Sequence, residues 1–200
     1  SIMTEKQVAG LAERRIRQIQ ALPEHPRRAA LANLRRGVGR APGELPELWG
    51  SFLQEMPPEF FTQSGSATAA EWAVYLALTL FALHQQSQEK PMCAQGAGIG
   101  QAVRRLSNRQ KEDPQESGAF QRFSALVTSN SIEEVSQHLR GLIQLLRSES
   151  LPLDYPQLAF DLFELQFPDS APRVKLRWGQ DYFYQPQETQ DGQEKEDSHE

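Results

Sequence analysis

The stretch SATAAEWAVYLALTLFALHQQSQ, residues 66–88, decides the fold class of this chain. Its apolar residues cover most of the circumference of a helix, and Glu71 is its only charged residue apart from the ionisable His84. A helix that is apolar all round is normally buried, because every face would otherwise expose apolar surface to water. The stretch is therefore predicted to be the central core helix. His84, near its end, is predicted to be a surface or helix-dipole residue rather than a ligand.

Amphipathic helices are predicted on both sides of this core helix. Residues 4–22 place their apolar residues on one stripe and end at Pro23, which cannot continue a helix. In the second half of the chain, Ser131 and Asp154 are predicted helix N-caps, because each precedes an apolar segment with helical spacing. No segment is convincing as a β-strand, so the sequence predicts an all-α fold.

The helices are predicted to form two small bundles packed together, one from residues 3–88 and one from residues 96–185. Residues 186–200 are poor in apolar residues and rich in Gln and Glu, which predicts a disordered acidic C-terminal tail. Residues 188–200 contain six acids and one Lys, a net charge of −5. Because the whole chain also has a net charge of −5, residues 1–187 are neutral, −5 − (−5) = 0.

An arginine-rich block precedes the core helix. Residues 14–40 contain eight Arg and one acid, Glu24, a local charge of 8 − 1 = +7. Arg presents a planar fork that binds phosphate or carboxylate through two hydrogen bonds. With so few acids nearby in the sequence, pairs four residues apart cannot account for the block, so anion binding is favoured over a solvated helix face. The predicted nucleic-acid contacts, in three groups along the chain, are Arg28, Arg35, Arg36 and Arg40, then Arg104, Arg105 and Arg109, and finally Arg122, Arg140 and Arg147.

Two glycine-containing segments are predicted to be turns. Gly37 is expected to end the second helix with a positive φ, and Gly39 to complete the turn. The run from Gly96 to Gly100 opens a helix, where backbone N–H groups can bind a phosphate. However, no strand precedes the run and no Lys-Ser/Thr pair follows it. This pattern excludes a Rossmann or P-loop site and favours a tight turn.

The sequence patterns of catalysis and metal binding are missing. The single cysteine, Cys93, excludes an internal disulfide and fits a reducing cytoplasm. The four histidines lack zinc-ligand spacing, and no G-x-S-x-G motif occurs. No apolar run is long enough to span a membrane without a charge. We therefore predict a cytoplasmic protein that is not an enzyme, has no metal or cofactor and binds no membrane.

Five segments, in order, carry a family pattern. They are Leu31-Ala-Asn-Leu-Arg-Arg-Gly-Val-Gly-Arg-Ala-Pro-Gly-Glu-Leu-Pro-Glu-Leu-Trp49, Gly98-Ile-Gly-Gln-Ala-Val-Arg-Arg-Leu106, Leu139-Arg-Gly-Leu-Ile-Gln-Leu-Leu-Arg147, Pro152-Leu-Asp-Tyr155 and Val174-Lys-Leu-Arg-Trp-Gly-Gln-Asp-Tyr-Phe-Tyr184. Together they resemble the CasB family, the small subunit of the type I-E CRISPR Cascade complex. The chain departs from the pattern at Tyr155, where Trp is often expected, and in its acidic tail.

The resemblance implies a small all-α subunit that is present as a pair along the belly of a crRNA-guided surveillance complex. It implies contacts with the other Cascade subunits and no nuclease activity. It also implies binding to single-stranded DNA, double-stranded DNA and crRNA without sequence preference, including the target and displaced DNA strands. An arginine-rich surface suffices for such a role, because pairing with the guide RNA reads the sequence.

Three further hypotheses concern the same features. A helical adaptor whose arginine face docks an acidic protein predicts the same charge pattern. The tail, residues 188–200, could compete with DNA for the arginines. Trp49, Trp72 and Trp178 could stack on bases, but their apolar surroundings in the sequence favour core positions.

Overall fold

The computed structural model describes residues 2–110 and 113–184, and the predicted acidic tail at residues 186–200 lies outside them. The described residues form α-helices joined by loops and short 3₁₀ turns, with no strand beyond an isolated bridge between Cys93 and Leu153. The all-α prediction is confirmed. The α-helices are α1 (Ile2–Ala21), α2 (Glu24–Arg35), α3 (Trp49–Phe52), α4 (Ala69–Gln85), α5 (Ile99–Gln110), α6 (Gly118–Val127), α7 (Ile132–Ser148), α8 (Tyr155–Leu165) and α9 (Ala171–Phe183).

Helix α4 is the centre of the fold, as predicted. It packs against α1, α2, α7 and α8, and its residues from Val74 to Leu83 are all buried. A capping box starts the helix: the Thr68 hydroxyl accepts from the Glu71 N–H at 3.1 Å, and the Glu71 carboxylate accepts from the Thr68 N–H at 2.9 Å. The box fixes the entry of the chain into the core.

Helix α8 joins the two halves of the chain, because it packs on α1 as well as on α4. The loop before α8 is also hydrogen-bonded to the loop between α4 and α5: Leu153 N–H donates to Met92 O at 2.9 Å, and Ala94 N–H donates to Leu153 O at 3.1 Å. One cluster of buried apolar residues runs from Val8 to Tyr182. The division into bundles at residues 3–88 and 96–185 stays a prediction.

His84 is buried, so the prediction of a surface or helix-dipole residue was wrong. Its Nε2 lies 2.7 Å from Leu151 O and its Nδ1 2.8 Å from the Tyr155 hydroxyl. Because a carbonyl can only accept, Nε2 carries the proton and Nδ1 accepts from Tyr155. Burial lowers the pKa of His84 to about 4, against the opposing effect of the Leu151 hydrogen bond, so the ring is neutral at neutral pH.

The seam between α5 and α9 depends on Gly100. A Cβ at Gly100 would lie 2.3 Å from the Trp178 carbonyl oxygen and 2.7 Å from the Asp181 Cβ, so only glycine allows this approach. Trp178 is fully buried and its Nε1–H donates to the Asp161 carboxylate at 2.8 Å. The run from Gly96 to Gly100 thus provides a positive-φ turn at Gly96 and a close helix contact at Gly100.

The tryptophans occupy different environments. Trp178 lies in the core, and Trp72 is partly buried and packs against the core, as predicted. Trp49 is 47% exposed, so its predicted core position was wrong. The apolar neighbours Leu48 and Phe52 take the buried positions of this short segment instead.

Candidate nucleic-acid interface

Helix α2 and the turn after it carry the first group of predicted arginines, and the core helix fixes the turn. The Tyr75 hydroxyl donates to Gly37 O at 2.8 Å, and burial raises the Tyr75 pKa to about 12. A Cβ at Gly37 would lie 2.6 Å from the Tyr75 hydroxyl and 2.8 Å from Leu48 Cδ1. Gly37 does not have the predicted positive φ; Gly39 does, at 81°. Lack of space, rather than backbone conformation, requires glycine at residue 37.

Most arginines of the block are paired with acids, and three of the five pairs join residues four apart, so the prediction that such pairs cannot account for the block was wrong for these arginines. The chain after the turn folds back on α2, where the Asn33 side chain donates to Glu47 O at 3.4 Å. This return brings Glu47 beside Arg36, and Glu55 further along the chain reaches Arg14 on α1. The ion pairs are Arg28–Glu24 at 2.7 Å, Arg36–Glu47 at 2.8 Å, Arg40–Glu44 at 3.9 Å, Arg17–Glu13 at 2.7 Å and Arg14–Glu55 at 3.7 Å.

Arg35 and Arg147 are an exception to this pairing. They come close enough that the positive charge of Arg147 lowers the pKa of Arg35, after the larger effect of burial. Arg147 donates to the Gln86 side-chain oxygen at 3.2 Å. Neither arginine forms an ion pair with a carboxylate in residues 2–110 or 113–184. The two guanidinium groups, both on partly buried residues, thus lie near each other with no acid paired to either in the described residues.

A groove of about 900 Å³ lies beside this pair, between α2 and the loop that follows α4. Its polar wall is the segment from Gln85 to Gln88, which includes the Gln86 partner of Arg147. The charged residues that line the groove are Arg27, Arg28, Arg35, Glu24 and Glu89. These lining residues carry a net positive charge, 3 − 2 = +1.

Two arginines of the third group extend the basic surface along α7. A Cβ at Gly39 would lie 3.2 Å from Nη1 of Arg140, so this guanidinium covers the turn after α2. A Cβ at Gly141 would lie 2.7 Å from Nη1 of Arg122. Arg147 thus lies near Arg35, and Arg140 lies beside Gly39. We call the arginines on α2, on the turn after it and on or beside α7 the α2–α7 track: Arg28, Arg35, Arg36, Arg40, Arg122, Arg140 and Arg147.

The second group of predicted arginines lies on α5, and two of its three members bond to other parts of the protein. Arg104 donates to Tyr182 O at 3.1 Å and its guanidinium carbon lies 5.4 Å from the centre of the Tyr182 ring, so it serves the α5–α9 seam. Arg109 donates to the backbone oxygen of Glu149 at 2.7 Å, just beyond the end of α7. Arg105 is exposed. In the part of the chain that the structure describes, no contact connects Arg104 or Arg105 with the α2–α7 track.

Other kinds of site lack support in the same residues. No group of three or more His, Cys, Asp or Glu side chains in the described part of the chain could hold a metal ion. None of the helices described is long and apolar enough to cross a membrane. Cys93 is partly buried, which raises the pKa of its thiol.

Comparison with known proteins gives a consistent result. The family model described as CRISPR-associated protein Cse2 matches residues 30–183. The solved structure of CasB from Thermobifida fusca is 33% identical, with a TM-score of 0.72 over 88% of this chain and 98% of that one. A chain of a structure described as a CRISPR RNA-guided surveillance complex is 25% identical, with a TM-score of 0.65 over 89% of this chain and 92% of that one.

CasB from Thermus thermophilus is 20% identical, with a TM-score of 0.61 over 90% of this chain and 97% of that one, which shows a common fold alone. No curated protein sequence matches. The family model spans well over half of the 200 residues, and the Thermobifida structure aligns over nearly its full length. The chain belongs to the CRISPR-associated Cse2 family, as its resemblance to CasB predicts.

Proposed function

We propose that this protein is a non-catalytic small subunit of a crRNA-guided Cascade complex, where it binds nucleic acid backbones without sequence preference. Family membership and the similarity to a chain of a CRISPR RNA-guided surveillance complex support the proposal. The proposed ligands are the target and displaced DNA strands and the crRNA. The other Cascade subunits and a second copy of this chain are the proposed protein partners. The α2–α7 track is the proposed contact surface.

The observation that carries the proposal is the nearness of Arg35 and Arg147, which have no paired acid in the described part of the chain, together with the groove that Arg35 lines. Like charges that approach each other repel, and half-burial removes part of the water that would screen them. This repulsion is reduced when an anion binds nearby. A phosphate in the groove would supply a counter-charge and accept hydrogen bonds from Arg35. The arrangement therefore suits a polyanionic ligand.

The ion pairs along the track do not oppose this role. Each pairs exposed or largely exposed side chains, and such pairs typically contribute only about 0.2–1 kcal/mol. A nucleic acid can therefore replace a glutamate at Arg28, Arg36 or Arg40 at small cost. It also gains the entropy of the counterions released from its phosphates. Binding is expected to weaken steeply as the salt concentration rises.

The test removes the charges of Arg35 and Arg147 and compares the effect with that of removing one arginine charge elsewhere on the protein. Arg35→Gln/Arg147→Gln keeps long polar side chains, and Arg173→Gln removes an exposed charge from α9 as the control. Binding to random-sequence duplex and single-stranded DNA is measured across a salt series. The double variant should weaken all sequences about equally and lower the log–log salt slope by about 1 for each phosphate that is no longer neutralised.

The control should keep the affinity and the slope of the wild type. If the wild-type chain, with or without residues 188–200, binds no DNA at low salt, the proposed function is wrong and the acidic-protein adaptor becomes the better hypothesis. If the double variant binds as the wild type does, the track is not the contact surface.

A further inference from the structure

Trp49 is an exposed aromatic side chain on a rigid segment. Its ring is 47% exposed, although Leu48 and Phe52 beside it are among the buried core residues. The Trp49 Nε1–H donates to Gly43 O at 3.1 Å, which fixes one edge of the ring. The backbone at Trp49 is also held, since Leu53 N–H donates to Trp49 O at 2.9 Å. The ring is thus presented to solvent in a defined orientation.

Two arginines of the α2–α7 track are bonded to the same segment. Arg36 pairs with Glu47 and Arg40 pairs with Glu44, and both acids lie in the loop that Trp49 closes through Gly43. The four charges cancel, 2 − 2 = 0, so the loop neither attracts nor repels an uncharged ring. A nucleic acid whose phosphates follow Arg36 and Arg40 would carry its bases past Trp49.

The surroundings of Trp49 favour a base over a protein side chain. Docking sites for proteins are usually contiguous apolar patches. Among the residues described between 40 and 50, Trp49 is the only exposed large hydrophobic side chain, and its exposed neighbours are Gly, Pro, Glu and Arg. A single aromatic face with charged neighbours suits stacking on one planar, polar-edged ring.

We infer that Trp49 is a stacking platform for an unpaired nucleobase of a single-stranded nucleic acid that is bound along the α2–α7 track. The inference rests on the proposed function and adds a preference for single strands. In a duplex the bases are already stacked on one another, so their faces are not available to an outside ring. Trp49 therefore contributes to binding of single strands and not of duplexes.

The test compares Trp49→Ala and Trp49→Phe in the full chain, with oligo(dT) and a random duplex at one low salt concentration. Stacking on an aromatic side chain typically changes affinity on the order of tenfold for one base. Trp49→Ala should lose about this factor for oligo(dT) and keep its duplex affinity, whereas Trp49→Phe should keep most of both. Trp49 is also about half-buried and donates to Gly43 O, so both variants are expected to lose some stability. The affinities are therefore compared at a temperature at which thermal unfolding shows all three proteins to be folded.

Tryptophan fluorescence gives an independent measurement. Among the three tryptophans, Trp178 is 1% exposed and Trp72 is partly buried, so quenching by a stacked base reports on Trp49. Oligo(dT) should quench the wild-type fluorescence, and Trp49→Phe should abolish this quenching while it still binds. Wild-type affinity of Trp49→Ala for oligo(dT), or an equal loss for duplex and single strand, overturns the stacking role but not the proposed function. Failure of the wild type to bind any DNA overturns the proposed function itself, and the inference with it.

Discussion

A glycine-to-alanine exchange at Gly100 should destabilise the protein, although alanine is the better helix former. The added methyl group would lie 2.3 Å from the Trp178 carbonyl oxygen, 2.7 Å from the Asp181 Cβ and 3.0 Å from the Tyr182 nitrogen. Two of these are backbone atoms of α9, which cannot rotate away as a side chain can. A carbon atom normally stays about 3.3 Å or more from a carbonyl oxygen, so α9 would have to move by about 1 Å.

The size of the effect follows from two opposing contributions. Crowding a packed interface by one methyl group typically costs about 1–3 kcal/mol. The higher helix propensity of alanine offsets at most about 1 kcal/mol of this cost. The offset is smaller at Gly100, which lies in the first turn of α5. Gly179, in the middle of α9, is the matched control because a Cβ there meets no atom within 4 Å. Gly179→Ala should therefore stabilise the protein by about 0.5–1 kcal/mol.

Urea or thermal unfolding of the two variants and the wild type measures the difference directly. We expect Gly179→Ala to be more stable than the wild type and Gly100→Ala to be less stable. A separation of about 2 kcal/mol corresponds to about 4–8 °C in a protein of this size. If Gly100→Ala unfolds at or above the temperature of Gly179→Ala, the close approach of α5 and α9 is not a constraint on the native state.

Three further predictions concern the turn, the buried histidine and the tail. Gly37→Ala should cost about 1–3 kcal/mol of unfolding free energy, because its methyl group meets the Tyr75 hydroxyl at 2.6 Å. Gly50→Ala, which has open space around its Cβ, should not lose this stability. Equal losses for the two variants in urea unfolding would contradict this prediction. His84 has a pKa of about 4 when folded and near 6.5 when unfolded, so the unfolded state binds the extra proton between these values. The stability that this neutral ring contributes is present above about pH 6.5 and falls toward pH 4 by up to about 1.4 kcal/mol per pH unit. Unfolding at several pH values should show a shallower slope for His84→Gln, and an unchanged slope would refute the assignment. Deletion of residues 188–200 removes a net charge of −5 and should raise DNA affinity at low salt, whereas equal affinity would end the proposal that the tail competes for the arginines.

Local sequence patterns were sufficient for the fold class. The all-round apolar character of α4 depends only on residues within one helix, and so do the N-caps at Ser131 and Asp154, whose side chains accept from Glu134 N–H and Gln157 N–H. Each of these features is set within a few residues of the chain. Their prediction required no knowledge of the tertiary structure.

The partners of the candidate site could not be predicted in the same way, because they come from distant parts of the chain. Arg35 and Arg147 are 147 − 35 = 112 residues apart, and their helices are brought together only by packing on α4. His84 finds its two partners 71 and 67 residues away. Charge counting in residues 14–40 overestimated the free positive charge, because Glu13 and Glu44 lie just outside that range and Glu47 reaches Arg36 only in the folded chain.

The packing of α1 on α8 has a consequence for how the protein is made. A ribosome releases α1 early, but α8 ends 165 − 21 = 144 residues later. At a synthesis rate of about 5–20 residues per second, the apolar stripe of α1 waits about 7–30 s for this partner. Helix α1 also packs on α4, which is made earlier, so only the face of α1 that meets α8 stays open to water until α8 is made. A nascent chain stalled before residue 155 should therefore still present this face to chaperones that bind exposed apolar helices.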